Sequence, residues 1–180
     1  MPTRRRARPR RTIYGSLLNL WRVLQPPAWL EGAILWWINP RYLIGVVGLV
    51  WDDGGRLLLA RHSYLPPPGW NLPGGWLRAG ERLEDGVRRE LREELSFEVA
   101  VGPLTAWAEL WPPRHYTFAF DCTVRGGAFC PNAEVVEIAY FPPDEVRRVI
   151  SPRVLPLVEP VLRRRAASQF PPANSGRATP

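Results

Sequence analysis

The stretch Leu72-Pro73-Gly74-Gly75-Trp76-Leu77-Arg78-Ala79-Gly80-Glu81 runs directly into Arg82-Leu83-Glu84-Asp85-Gly86-Val87-Arg88-Arg89-Glu90-Leu91-Arg92-Glu93-Glu94-Leu95-Ser96-Phe97. Its second half decides the fold. Leu83, Val87, Leu91 and Leu95 recur at steps of four, which predicts a helix over 83–95 with one buried stripe. Its first half, with Pro and three Gly, predicts a loop delivering the chain to that helix.

The same helix carries an acidic cluster. At 100° per residue, Glu90, Glu94 and Glu93 sit at about 0°, 40° and −60° around the axis, beside the apolar stripe centred near 80°. Three carboxylates on one turn at a burial margin repel one another. A hard divalent cation removes that repulsion, because it prefers several carboxylate oxygens. A solvated acidic face is the competing reading, since Glu84–Arg88, Asp85–Arg89 and Arg89–Glu93 all have the i,i+4 spacing of helix ion pairs. On the helix alone the two stay open.

Outward from the helix, Tyr42–Trp51 is a near-continuous apolar run, as a strand buried on both faces requires. Asp52-Asp53-Gly54-Gly55 is a turn signal, and Arg56–Ala60 reads as the returning strand of a hairpin. Residues 62–72 read as a Pro-rich loop. Strands follow over 97–110 and 115–125, with Arg125-Gly126-Gly127 as a turn, and then over Val135–Phe141. Pro142-Pro143-Asp144-Glu145 opens a short helix, Pro and acid both suiting a first turn. A last helix spans 152–166, interrupted by Pro156 and Pro160. Strands and helices mix without regular alternation, which favours an α+β fold.

The whole stretch resembles the Nudix hydrolase signature: Gly, five residues, Glu, seven residues, then Arg-Glu-apolar-x-Glu-Glu-x-Gly-apolar. Gly75, Glu81, Arg89, Glu90, Leu91, Glu93, Glu94 and Phe97 fall in register with it. Ser96 stands where the family has Gly, which places the helix C-cap in question and leaves the carboxylates untouched. The resemblance covers about residues 42–150 and is tight over 72–97. It implies an α/β/α sandwich around a mixed sheet, and hydrolysis of a diphosphate linkage in a nucleotide or nucleoside-diphosphate-linked substrate. It also implies Mg²⁺ (or Mn²⁺) on Glu90, Glu93 and Glu94, assisted by the Gly75 carbonyl, with Arg89 orienting the carboxylates and Glu81 tying loop to helix. A further carboxylate would complete the site: Glu134 is the first candidate and Glu137 the second, either of which could instead be an ordinary strand residue.

For substrate, Trp70 is the candidate for stacking on a base, and Arg61, His62 and Arg114 are candidates for phosphate. Each also has a plain structural reading, and His115, Trp107 and Trp111 read as structural. No motif selects among diphosphate substrates. Two rivals from other classes stand beside the enzyme: a Nudix-fold module that senses a nucleotide without turnover, and a membrane-surface protein.

The 180 residues fit one domain with tails: 1–12 a basic disordered arm, 13–38 an apolar Trp-rich helical segment, 39–166 the hydrolase-like domain, 167–180 a disordered tail. Net charge is +7, but residues 1–11 hold six arginines and four more follow Leu162, so the ends carry it. Such an arm is solvated or docks on an anionic surface, with no specific nucleic-acid partner implied. Pro26 and Pro27 split the Trp-rich segment into two short helices, the first with Leu17, Leu20, Trp21 and Leu24 on one face. Neither reaches the roughly 20 apolar residues of a spanning helix. Three roles stay open for it: covering the domain, lying on a membrane, or targeting. Cys122 and Cys130 match no metal spacing and read as small buried residues of a reducing, cytoplasmic protein, with a bridge between them left open. Association into a homodimer also stays open.

Overall fold

The apolar stripe on the acidic helix is where packing starts. In a computed structural model, which describes residues 27–39, 41–67, 69–110 and 114–169, Val87, Leu91 and Leu95 are fully buried and Leu83 packs beside them. The chain divides into two compact units, 1–41 and 42–180. In the first, a helix (α1, Ala28–Ile38) begins immediately after Pro27, whose extended backbone at ψ 148° cannot continue one backward. None of its residues is buried, and Trp29, Trp36 and Trp37 are exposed. The Arg41 guanidinium lies 4.0 Å over the Trp36 ring. The expected first helix of the Trp-rich segment, the basic arm, Trp111 and the tail from 170 lie outside the described residues.

The second unit holds β1 (Leu43–Val50), β2 (Leu57–His62), β3 (Trp70–Asn71), β4 (Gly74–Trp76), α2 (Leu83–Leu95), β5 (Phe97–Glu109), β6 (His115–Gly127), β7 (Val135–Phe141), α3 (Pro143–Val149) and α4 (Leu155–Gln169). The strands form a four-stranded sheet, β4-β1-β6-β5, and a three-stranded one, β3-β2-β7. In the first, β1 runs parallel to β6 and antiparallel to β4. Alternate residues of β1 and β2 face two cores. Val46, Val50 and Leu58 meet α2 in one, and Leu49, Leu57 and Leu59 meet α4 through Leu157, Val158 and Leu162 in the other. The strand layer therefore has a helix on either side. α2 lies so close to β1 that a Cβ on Gly48 would meet the Leu91 side chain at 2.8 Å.

Several expectations change. The mixed sheet is two sheets, and β1 and β2 are no hairpin: only Trp51 and Leu57 bridge before the strands part. The turn itself is present, with the Gly55 amide donating to the Asp52 carbonyl. β1 diverges because its edges are taken by β4 and β6, each with a longer register to offer. The 62–72 loop contains β3, paired to β2. The expected turn at Arg125-Gly126-Gly127 is the end of β6, which pairs on to Phe97 and Glu98. Close approach needs glycine there, as a Cβ on Gly127 would meet the Ser96 carbonyl at 2.0 Å. α4 runs through Pro160 unbroken. One rung is lost, while buried Leu157, Val158, Val161 and Leu162 hold its inner face. Cys122 is buried and Cys130 is exposed, and both are free thiols. Burial pushes the Cys122 thiol up to about 12, so it acts as a small apolar residue.

Candidate active site

β4 is an edge strand three residues long, and its alternation organises the site. Gly75 faces α2, where a Cβ would lie 2.7 Å from the Glu90 carboxyl carbon. Gly74 has φ +145°, and a Cβ there would meet the Val46 carbonyl at 2.2 Å. Both glycines are thus required: the first for backbone conformation and contact with β1, the second to admit a carboxylate.

On α2, Arg89 is the hub. Its Nε and Nη2 donate to the two oxygens of Glu81 at 2.8 and 2.9 Å, and Nη1 donates to Glu90 at 2.6 Å and Glu93 at 3.1 Å. Nη2 also donates to the Trp76 carbonyl at 3.0 Å, tying β4 to the helix. Hydrogen bonds from Arg89 and from the Arg78 amide hold the Glu81 carboxyl down at about 2. Burial acts against the Arg89 charge, but its bonds to Glu81 and Glu90 raise its pKa further. Asp85, expected to serve Arg89, pairs instead with Arg88 at 2.6 Å. Glu93 is half exposed and also accepts from Arg78 at 3.1 Å.

Glu94 differs from its neighbours. It is 3% exposed, and its carboxylate accepts from the Gly74 amide at 2.8 Å. Burial drives its carboxyl up to about 8; the Gly74 bond opposes this, and the charges of Glu90, Glu134 and Glu93 add to it. The ring of His62, also buried, places Nδ1 3.8 Å from Glu94 Oε1. Burial lowers the His62 pKa, so the imidazole brings Glu94 no compensating charge.

Glu134 enters this field from the loop before β7. That loop is fixed by Asn132, whose Oδ1 accepts from the amides of Glu134 and Val135 at 2.9 and 2.8 Å. Its Nδ2 donates to the Glu94 carbonyl at 3.0 Å and the Glu93 carbonyl at 3.3 Å, satisfying the open end of α2. Glu137 lies elsewhere, paired to Arg61 at 2.7 Å across β2 and β7. Arg61 is therefore engaged by a carboxylate outside the three on α2. Arg114 is exposed at the start of β6 with φ +85°, its amide bonded to Glu109, and it does not line the cleft.

That cleft, about 490 Å³, adjoins the carboxylates across β4 and is lined by Gly74, Gly75, Trp76, Tyr64, Trp70 and His115 among others. Trp70 lies at its side, edge-on to Phe141 at 5.0 Å. Tyr64 belongs to both places: it lines the cleft, and burial together with the charges of Glu94, Glu134 and Glu90 raises its phenol pKa. His62 as a buried neighbour of Glu94, Tyr64, Asn132 and Trp76 were not identified in these roles from sequence. An Asn two residues before an acid is a turn signal, and Trp76 follows Gly75 directly, so two of the four had a trace.

Among the described residues, no three His, Cys, Asp or Glu side chains converge closely enough to hold a metal ion as they stand. Arg89 and Arg78 hold Glu90 and Glu93 in their present positions. The donor chemistry nevertheless fits a hard divalent cation. Glu94 is a buried carboxyl with three acids in its field, and carboxylate oxygens in that setting are what such a cation neutralises.

A model of the NUDIX domain matches residues 41–160. The nucleoside triphosphatase NudI of Salmonella paratyphi B is 32% identical over 116 residues, which takes in 56% of this chain and 82% of the relative. An ADP-ribose pyrophosphatase structure from Streptococcus suis is similar with TM-score 0.50 and 27% identity, over 57% of this chain and 75% of the other. A NUDIX hydrolase structure from Nitrosomonas europaea is similar with TM-score 0.62 and 25% identity, over 73% and 74%. With two thirds of its length matched and the signature residues meeting around Arg89 and Glu94, the chain belongs to the Nudix hydrolase family.

Proposed function

We propose that this Nudix-type pyrophosphohydrolase cleaves a diphosphate linkage in a nucleotide or nucleoside-diphosphate-linked substrate, using Glu90, Glu93 and Glu94 as ligands for Mg²⁺ or Mn²⁺. Glu134, and the carbonyl of Gly75, would complete the set. The observation that carries this is Glu94: buried, pushed up to about 8, with three acids nearby and, among the described residues, no arginine paired with it. A folded protein tolerates such a group where a ligand relieves it.

When bound, the cation neutralises diphosphate oxygens and acidifies the attacking water. The remaining work falls to the chain's own side chains. Arg89 positions Glu90 and Glu93 through one fork, while Glu81 locks that fork in place. Asn132 sets Glu134 relative to the end of α2. Water attacks phosphorus in line, the anhydride P–O bond breaks, and the water's proton passes to a carboxylate of this cluster. Tyr64, between cleft and carboxylates, is suited to the diphosphate as it crosses β4. The relatives named as a nucleoside triphosphatase and an ADP-ribose pyrophosphatase support a nucleotide-type substrate.

The test is a panel of diphosphate compounds with Mg²⁺ or Mn²⁺, run on the wild type and on Glu94→Gln. Turnover of at least one compound, falling at least about 100-fold in the folded variant, is expected from the size of such metal-ligand contributions. Turnover equal in the two proteins would remove Glu94 from the mechanism.

A further inference from the structure

We infer that Trp76 is the platform on which the substrate's aromatic base stacks, which makes it a specificity-determining residue; this deepens the proposed nucleotide reading and rests on it. Trp76 is 46% exposed, yet it stands on the concave wall of the cleft and not on an outer surface. A tryptophan left half in water by folding, inside a largely apolar hollow, still has one face to bury.

The sheet builds the seat from beneath. Trp76, Gly45 and Thr117 form one row across β4, β1 and β6. Gly45 contributes no side chain, and a Cβ there would meet Thr117 Oγ1 at 2.9 Å and His115 Nε2 at 3.2 Å. The His115 ring therefore lies down over Gly45, 3.1 Å from the Thr117 hydroxyl, with its centroid 4.5 Å from that of Trp76. His115 and Thr117 are both buried, so the tryptophan is backed by a fixed support and its rotamer is held. Tyr64 and Pro66 belong to the same cleft.

The occupant follows from the strand's alternation. Trp76 is adjacent to Gly75, whose Cα abuts Glu90, and neighbouring residues on β4 face opposite sides. A molecule with its diphosphate at the carboxylates carries its next group around the β4 edge onto Trp76. A flat, polarisable base matches an indole face, and base–aromatic stacking is tolerant of which base is presented. Trp70 also lines the cleft, but its ring is edge-on to Phe141 and packed against the core, which leaves it less face to offer than Trp76.

The experiment measures binding by calorimetry with Mg²⁺ present, using α,β-methylene nucleoside triphosphates of the four common bases and methylenediphosphonate as a base-free probe. Wild type, Trp76→Ala, Trp76→Phe and Trp76→Leu are compared, each checked by thermal melting. Trp76→Ala and Trp76→Leu should weaken nucleotide binding by about 5- to 150-fold, from the measured range for base stacking, with methylenediphosphonate unchanged. Trp76→Phe should stay within a few-fold of wild type. The inference is overturned if Leu serves as well as Phe, if Ala weakens both probes equally, or if wild type binds no nucleotide analogue. Turnover of the diphosphate panel by wild type is scored separately. Its absence removes the hydrolytic reading whatever Trp76 does, and its presence with an indifferent Trp76 removes this inference alone.

Discussion

Glu94→Gln should make the metal-free protein more stable while removing its response to metal. The wild-type carboxyl sits at about 8 in the fold against an ordinary 4.5. Stability it contributes is thus fully present below pH 4.5 and lost as pH rises through 8. A shift of that size is at most about 5 kcal/mol, and relaxation of the carboxylate brings the expected loss to about 2–5 kcal/mol. Gln keeps an acceptor for the Gly74 amide, which donates to the Glu94 carboxyl, and never ionises. In EDTA the two proteins should match within about 1 kcal/mol at pH 5, and the variant should lead by about 2–5 kcal/mol at pH 9, or roughly 5–15 °C in Tm. Adding Mn²⁺ at pH 7.5 should reverse the order, because a ligand bound by the native state alone stabilises it by RT ln(1 + [L]/Kd). Denaturant titrations at the two pH values, with and without Mn²⁺, measure all three. A gap that is the same at pH 5 and pH 9 would refute the reasoning, since the gap arises from ionisation of Glu94 in a buried place beside other acids.

Other expectations follow from single contacts. Ser96→Gly should stabilise the protein by about 1 kcal/mol, because Ser96 holds φ 59° at the end of α2, where glycine carries no side-chain penalty; urea denaturation measures it. Gly75→Ala should lower kcat/KM at least about tenfold with a native melting profile. Its methyl would displace the Glu90 carboxylate, at 2.7 Å, rather than backbone. Asn132→Ala should raise the Mn²⁺ concentration needed for half-maximal activity, because Glu134 and the end of α2 lose their shared tether. Full-length protein should co-sediment with anionic liposomes and a form starting at Ile38 should not, given the exposed Trp29, Trp36 and Trp37 and six arginines before residue 12; equal binding by both would dismiss that role for the segment.

How much was legible in the sequence depended on the range of the interaction. α2 was readable to the residue because Val87, Leu91 and Leu95 follow a local period, and so were β7 and the start of α3, because Pro and turn residues mark them. The β1–β2 pairing failed because Asp52-Asp53-Gly54-Gly55 specifies a turn but not which neighbour each strand then takes. β1 takes β6, some 70 residues away in sequence, and no local signal competes with that. Glu134 was ranked ahead of Glu137 from sequence, but the contacts that separate them were illegible for the same reason: they depend on Asn132 reaching α2 and on Arg61 crossing from β2. The arginine hub was half readable. Spacing suggested Asp85 and Glu93 as partners, while Glu81, eight residues away, holds Arg89 more tightly through a folded loop.

The four residues Gly74-Gly75-Trp76-Leu77 show why this motif is short and its surroundings are not fixed with it. Gly74 and Gly75 are required by distances to backbone and to Glu90, so any chain that places carboxylates on α2 against this edge strand meets the same constraint. Trp76 points the other way, onto the cleft, where nothing in the carboxylate geometry limits what stands there. Its carbonyl is still held, accepting from Arg89 at 3.0 Å. Backbone at that position thus anchors the arginine hub while the side chain stands in the cleft. On a single edge strand, neighbouring residues thus face two different sides, the carboxylates of α2 and the cleft, so the side chain at 76 can change without moving a glutamate.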